Sequence, residues 1–273
     1  MRAFLRLLGW EVRHLRRDGQ AWLVCGALLA AAVLAIWVGD RRLARHRAEI
    51  AGLPAHYAAQ IASVAKEFTP RGEAGYVAYY TFFPTHHPMP PLAGLSVGVR
   101  DIVPNVTWVR LLGIEGQLYE ADLGNPALQA LGTFDLAFVF CALAPLALLV
   151  LVHDALTRER ESGRFPLLAA QGGSLGALLA ARVGVRALAV ALICTIAFGL
   201  ASAWLRVPPA ADALGWLAGV WAQLAAWAGL AALIAAVTRT PAASLAVALT
   251  AWIVQGGLLP ALLYLGLAAA LPG

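Results

Sequence analysis

The chain has 273 residues, of which 61% are hydrophobic and only 13% are charged. Soluble domains carry about 25% charged residues. Because the apolar residues here fall in long uncharged blocks, the composition excludes a soluble globular protein and predicts an integral membrane protein. The net charge of +5 does not indicate a nucleic-acid partner, since the arginines lie at the ends of apolar blocks and form no continuous basic face.

The N-terminal residues 2–17 have the pattern of an amphipathic helix. Leu5, Leu8, Val12 and Leu15 share one face, whereas Arg2, Arg6, Arg13 and Arg17 recur on another. We expect this helix to lie in the headgroup plane, with its arginines facing water and anionic lipid. The apolar run that follows, residues 21–38, is longer than the core of a signal peptide and lacks a clear cleavage site. It predicts an uncleaved first span with the N-terminus in the cytoplasm, so that the first region of the chain is residues 1–39.

Residues 40–133 contain no segment that is long and apolar enough to cross a membrane, and they predict a large, mainly helical insert outside it. Residues 43–68 have a helical pattern that continues the first span outwards, with a break predicted near residues 52–54, where Pro54 lies. Residues 75–83 are rich in aromatic and β-branched side chains and predict an extended segment. Residues 107–123 predict a further helix before the second span.

A proline-dense segment of this insert contains His86, His87 and Met89. Its prolines exclude a helix or an inner strand. Imidazole and thioether groups are both copper ligands, so the three residues are metal-binding candidates. A specific site needs more ligands at a defined geometry than this loop supplies. The interpretation as ordinary loop residues is therefore favoured, and no metal is expected.

The stretch after the insert is the most informative part of the chain. Residues 136–152 form an uncharged run that predicts the second span. A dense charged cluster, residues 158–164, follows at once, and a short amphipathic piece comes after it. A span that passes directly into a charged helical elbow allows a partner in the water to push on helices in the lipid. The alternative is a plain charged loop that only fixes the topology.

Three further spans complete the predicted bundle, which occupies residues 134–273. They are residues 187–205, 214–237 and 242–263. Ser174 is a candidate cap for a helix that carries Arg182 and Arg186 to the cytoplasmic interface. Gly256, Gly257 and Pro260 should loosen the last span. The chain thus has five predicted spans and a C-terminus outside.

Three groups of short runs carry a resemblance to a known family. The first is PPLAGLSVGVRD at residues 90–101; the second is VRLLG at 109–113, GQLY at 116–119 and Asn125-Pro126; the third is FDLAF at 134–138 with RERESG at 158–163. Together they resemble the ABC-2 type transporter permeases that carry a large periplasmic insert between their first two spans. The likeness covers most of the chain. The E-x-E-x-G pattern alone is widespread, and it is the combination with the insert runs that is specific.

The resemblance implies a helical transmembrane bundle with a periplasmic insert, located in the bacterial inner membrane. It implies a permease subunit that pairs with a second permease, in a homo- or heterodimer, and with cytoplasmic ATPase subunits that bind the ATP. Residues 157–171 correspond to the coupling helix that docks on the ATPase. The implied coupling residues are Arg158, Glu159, Arg160, Glu161, Ser162, Gly163, Arg164, Leu167 and Leu168. Such permeases usually have six spans, so we expect either that the sequence is a fragment or that the sixth span is missing. The resemblance names neither the substrate nor the direction of transport.

The residues themselves exclude an ATPase site in this chain. A phosphate-binding loop needs a glycine directly before its lysine, and Lys66, the only lysine, follows an alanine. An intramembrane enzyme would need polar catalytic groups at depth, such as H-E-x-x-H, and none is present in the predicted spans. We therefore predict a protein that is not an enzyme and has no cofactor of its own. A non-transporting structural or assembly membrane protein is the main alternative, and an intramembrane enzyme is less favoured.

Overall fold

The computed structural model describes residues 2–86, 89–90, 92–96, 106–109, 134–170, 174–208 and 211–270, and these are overwhelmingly helical. The helices are α1 (Arg2–Leu15), α2 (Gly19–Phe68), α3 (Ala74–Tyr80), α4 (Leu136–Phe138), α5 (Ala144–Val152), α6 (Thr157–Glu161), α7 (Phe165–Ala170), α8 (Leu175–Trp204), α9 (Ala211–Val237), α10 (Pro241–Ile253) and α11 (Leu259–Ala270). Two strands, β1 (Phe83–His86) and β2 (Val106–Val109), form a small sheet. The chain divides into a bundle unit, residues 1–34 with 137–273, and an insert unit, residues 35–136.

Within the described residues, five helical segments are long and apolar enough to cross a membrane. They are Gly19–Arg71, Leu136–Glu161, Leu175–Trp204, Ala211–Val237 and Pro241–Leu267. Each contains all or nearly all of one predicted apolar run, so each of the five predicted spans coincides with such a helix among the described residues. The chain has the composition and helix lengths of a multi-pass, all-α membrane protein.

The helix α8 shows how the bundle unit separates its two faces. Large apolar side chains are exposed at every fourth position, at Leu188, Leu192, Ile196 and Leu200. The buried side carries smaller residues, Val190, Cys194, Ala197 and Ala201. Small residues let neighbouring helices approach closely, and large apolar residues on the outside suit a hydrocarbon solvent. Exposing these large apolar side chains to water would cost free energy, whereas exposing them to lipid does not.

Two spans contain a π-helical turn, at Val139–Leu143 and at Val254–Leu258. Pro145 explains the first turn, because it has no N–H to give to the carbonyl of Cys141 four residues earlier. Side chains from other helices take over: Gln223 Nε2 donates to the Cys141 carbonyl at 2.9 Å, and Trp252 Nε1 donates to the Ala142 carbonyl at 2.9 Å. The second turn confirms that the last span is loosened where its two glycines lie.

In the insert unit, α2 continues as a helix through Pro54, so the predicted break is wrong. A proline inside a helix removes one backbone hydrogen bond but does not always end it. The prediction of an extended segment at residues 75–83 is also wrong over α3. Its residues Tyr76 and Tyr80 stack on Phe68 with ring centroids 5.7 and 5.3 Å away. The i, i+4 spacing that a helix gives these two tyrosines lets both rings meet the same phenylalanine.

The strands β1 and β2 are antiparallel, with Phe83 opposite Val109 and His86 opposite Val106. A two-stranded sheet has only edge strands, which explains why Pro84 is tolerated in β1. The helix predicted at residues 107–123 is wrong for residues 107–109, which belong to β2, and residues 110–133 lie outside the described part. A Cβ atom added to Gly39 in α2 would lie 2.6 Å from the carbonyl oxygen of Gly94. This close approach of two backbones requires glycine at position 39.

Candidate functional site

The candidate site is the elbow that follows the second span, and its backbone turns twice. Thr157, the first residue of α6, donates its hydroxyl to the carbonyl of His153 at the end of α5, at 2.9 Å. Because Thr157 is also fully buried, it joins the second span firmly to α6. After α6 the chain turns at Gly163, whose φ of +70° lies in the left-handed region that favours glycine. The predicted coupling segment, residues 157–171, is therefore two short helices, α6 and α7, rather than one; Gln171 lies outside the described residues.

Glu159 anchors the elbow to the bundle. Its Oε1 lies 2.7 Å from Nη2 of Arg182 on α8, and the two side chains are only 16% and 12% exposed. Arg182 also donates to the carbonyl of Ala155, at the start of the elbow. Charge-assisted contacts with little water access are the strong ones. They fix the direction in which α6 leaves the second span.

Arg160 makes a second anchor, to a different helix of the bundle unit. Its Nη1 donates to the carbonyl of Ala235 at 3.1 Å and to the carbonyl of Thr238, near the C-terminal end of α9. A guanidinium suits this position, because the last carbonyls of a helix have no backbone partner and carry partial negative charge. The Arg160 guanidinium also lies over the ring of Phe165, 4.9 Å from its centroid. The elbow is thereby fixed to two different helices of the bundle unit.

The other predicted coupling residues are turned outwards. Arg158 pairs with Asp154 at 2.8 Å but stays 63% exposed, and Leu167 is 63% exposed. Glu161, Ser162, Gly163 and Arg164 are exposed, and Leu168 is half-buried. Ser162 Oγ accepts from Nε of Arg164 at 3.0 Å, which holds this arginine at the tip of the turn. The structure thus divides the predicted residues into two groups: Glu159 and Arg160 hold the elbow in place, and the remainder form its outer surface.

The sequence reasoning missed Glu11, which completes the anchor. This side chain of α1 is only 2% exposed. Its Oε1 lies 3.1 Å from Nε of Arg182, and its Oε2 lies 3.6 Å from Nη1 of Arg186. A signal was present: Glu11 lies between Leu8 and Leu15 at helical spacing, on the apolar face, where a carboxylate needs a buried partner.

The side chains of the two arginines of α8 are mostly buried in this cluster. Ser174 caps α8 as expected, with its Oγ accepting from the backbone N–H of Ala177 at 3.2 Å. Arg182 and Arg186 lie two and three turns further on. We refer to Glu11, Glu159, Arg182 and Arg186 as the ion cluster. It joins α1, α6 and α8 in the bundle unit.

The metal-binding candidates do not gain partners in the described part of the insert unit. His86 is exposed at the end of β1, Met89 is half-buried, and His87 lies outside the described residues. Across the described residues, no group of three or more histidine, cysteine, aspartate or glutamate side chains is placed to hold a metal ion.

Comparison of the chain with protein-family models, with curated proteins and with solved structures found no match. The functional argument therefore rests on the residues and on the geometry of the elbow.

Proposed function

We propose that this chain is the transmembrane permease subunit of an ABC-2 type ABC transporter. It couples ATP hydrolysis by a separate ATPase subunit to the movement of a substrate across the bacterial inner membrane. A second permease subunit and two cytoplasmic ATPases complete the transporter. Under this proposal the N-terminus and the elbow are cytoplasmic and the insert unit is periplasmic.

The observation that carries the proposal is the anchored elbow. The segment after the second span is bonded to α8 through Glu159 and to α9 through Arg160, so a force on the elbow reaches several helices. A loop that served only to set topology would need positive charge but no such anchors. Rigid elements joined by buried polar contacts are the physical means by which one site moves another.

The outer surface of the elbow has the makeup of a small docking site. Leu167 is an exposed apolar side chain at its centre, and Glu161 and Arg164 supply charges of both signs beside it. An apolar anchor within a charged rim is the usual anatomy of a protein–protein contact. We propose that Leu167 enters an apolar pocket of the ATPase and that Glu161 and Arg164 meet charges around that pocket.

A photocrosslinking side chain at position 167 tests the proposal directly. We expect it to capture an ATPase subunit in native membranes. We also expect the substitution at position 167 to change the rate of ATP hydrolysis by the purified complex. The matched control is position 188 on α8, since Leu188 is also 63% exposed but faces the predicted lipid.

Leu167→Ala should weaken ATPase association about 30-fold, since truncating a central anchor typically costs about 2 kcal/mol.

The outcome that contradicts the proposal is equally specific. If position 167 and position 188 capture the same set of molecules, and Leu167→Ala copurifies with its partners as the native chain does, the elbow is not a coupling surface. The assignment as a structural membrane protein would then be preferred.

A further inference from the structure

The bundle unit contains a second charged feature, which shares Arg158 with the elbow. A cleft of about 460 Å³ lies where α1 meets the start of α2, the end of the second span and α8. Its lining residues are Trp10, Arg13, His14, Arg17, Asp18, Asp154, Arg158 and Arg186. Four arginines thus face two aspartates. We refer to this feature as the arginine cleft.

Both aspartates of the arginine cleft already have partners. Asp18 Oδ1 accepts from the backbone N–H of Gln20 at 3.0 Å and so caps the start of α2. Asp154 Oδ2 pairs with Nη2 of Arg158 at 2.8 Å. Among the described residues, neither contact is with Arg13, in the last turn of α1, or with Arg17, just beyond the end of α1. The cleft keeps an excess of positive charge.

A buried donor in the cleft is also left unsatisfied. Arg186 is only 7% exposed, and its Nε has no hydrogen-bond partner among the described residues. Its Nη1 is used, since it donates to the carbonyl of Arg182 at 3.2 Å and lies 3.6 Å from Glu11. A buried N–H of a charged group without an acceptor costs free energy, so such a donor indicates a missing acceptor.

We propose that the arginine cleft binds a phosphate group, and that an anionic phospholipid headgroup supplies it. A phosphate offers several oxygens to guanidinium donors, and the fork geometry of arginine suits it. The cleft is large enough for a headgroup and is lined at one side by the ring of Trp10. Binding there would give Arg186 Nε its acceptor and offset the charge of Arg13 and Arg17.

The surroundings of the cleft favour a lipid over a soluble phosphate. Leu5 and Val12 of α1 are 59% and 44% exposed, and Trp22 and Leu23 at the start of α2 are 65% and 72% exposed. Exposed large apolar side chains on the helices that form a basic cleft are suited to acyl chains below a headgroup. Basic pockets between helices near the ends of spans are known to hold anionic headgroups.

The test uses the full-length chain, purified in a neutral detergent and titrated with three probes in parallel. The probes are a short-chain phosphatidylglycerol, the matching phosphatidylcholine and inorganic phosphate. The site variant is Arg13→Gln with Arg17→Gln. Its matched control is Arg6→Gln with Arg16→Gln, which removes the same charge from exposed positions near or in α1 that do not line the cleft. All four positions are exposed, so the fold should tolerate both double variants, and a thermal melt checks this.

We expect the native chain to bind phosphatidylglycerol at least ~10-fold more tightly than phosphatidylcholine. The site variant should lose at least ~30-fold in affinity for phosphatidylglycerol, since each charge-assisted contact typically contributes about tenfold. The control should lose less than ~3-fold, the effect of diffuse charge alone. Inorganic phosphate at millimolar concentration should not displace the lipid.

Three results would overturn the proposal or change it. Equal losses in the two double variants would show that only the overall charge of α1 matters, and would refute the cleft as a site. Equal binding of the two lipids would refute it as well. Tight binding of inorganic phosphate that the site variant abolishes would support the phosphate site but refute the lipid as its source.

Discussion

At the scale of single residues, the decisive side chains are charged ones that the sequence places in helices and the fold brings together. Arg182 and Arg186 were identifiable as arginines near the end of a span, but their partners were not. Glu11 is 171 positions before Arg182 in the chain, and no local pattern specifies a contact of that kind. Periodicity gives the face of a helix, whereas the element that covers the face depends on tertiary packing.

The buried position of Glu11 leads to a stability prediction. In Glu11→Gln, Arg186 loses its buried counter-charge, while Arg182 keeps Glu159. Removing one partner of a buried ion pair typically costs about 3 kcal/mol. We therefore expect the melting temperature of the detergent-purified chain to fall by about 5 °C or more.

Two variants control the Glu11→Gln experiment. Glu161→Gln removes an exposed carboxylate from the same region and should leave the melting temperature unchanged. Glu11→Leu with Arg186→Leu removes both charges and should recover much of the loss, because two apolar side chains leave no uncompensated ion. An unchanged melting temperature for Glu11→Gln would show that the ion cluster does not hold α1 on the bundle.

At the scale of elements, the spans were predictable because long apolar runs have few structural alternatives. The secondary-structure predictions are wrong where contacts between side chains override the local propensity of the sequence. The aromatic segment at residues 75–83 favoured a strand by composition, but stacking of Tyr76 and Tyr80 on Phe68 selects the helix α3. The division of residues 157–171 into two helices was also missed, although Gly163 is a residue that commonly ends a helix.

The elbow gives a prediction that separates its anchor from its outer surface. Glu159→Lys sets a second cation beside Arg182 in a mostly buried position, so we expect a lower level of folded protein in the membrane. Glu161→Lys changes an exposed charge of the same type, two residues away. It should leave the protein level unchanged and reduce transport-coupled ATP hydrolysis.

Membrane abundance, ATPase copurification and ATP hydrolysis would be measured side by side for both elbow variants. The comparison is matched, since each variant changes one glutamate of α6 into lysine. If Glu161→Lys retains full coupled hydrolysis with its partner bound, the outer surface of the elbow does not depend on this charge. If Glu159→Lys accumulates normally, the ion pair with Arg182 does not anchor α6.

At the scale of the whole molecule, the charge distribution predicts how the chain is oriented in the membrane. Arg158, Arg160 and Arg164 follow the second span directly, and further arginines occupy α1 and the first half of α8. Positive residues close to the ends of spans are enriched on the cytoplasmic side of membrane proteins. The cluster at Arg41, Arg42, Arg45 and Arg47 opposes this orientation, because it would lie just beyond the first span.

Accessibility of single cysteines in intact cells resolves that conflict. The native Cys25, Cys141 and Cys194 are first replaced by alanine or serine, and a cysteine is then placed at exposed Ala74 in the insert unit or at exposed Ser162 in the elbow. If the elbow is cytoplasmic, a membrane-impermeant maleimide should label Ala74→Cys in intact cells and Ser162→Cys only after the cells are lysed. A permeant maleimide should label both positions, which controls for reactivity.

Labelling of Ser162→Cys from outside, with Ala74→Cys protected, would show that the orientation is the reverse of the predicted one. Because a cytoplasmic ATPase could not then reach the elbow, that single result would exclude the coupling role while leaving the ion cluster and the arginine cleft intact.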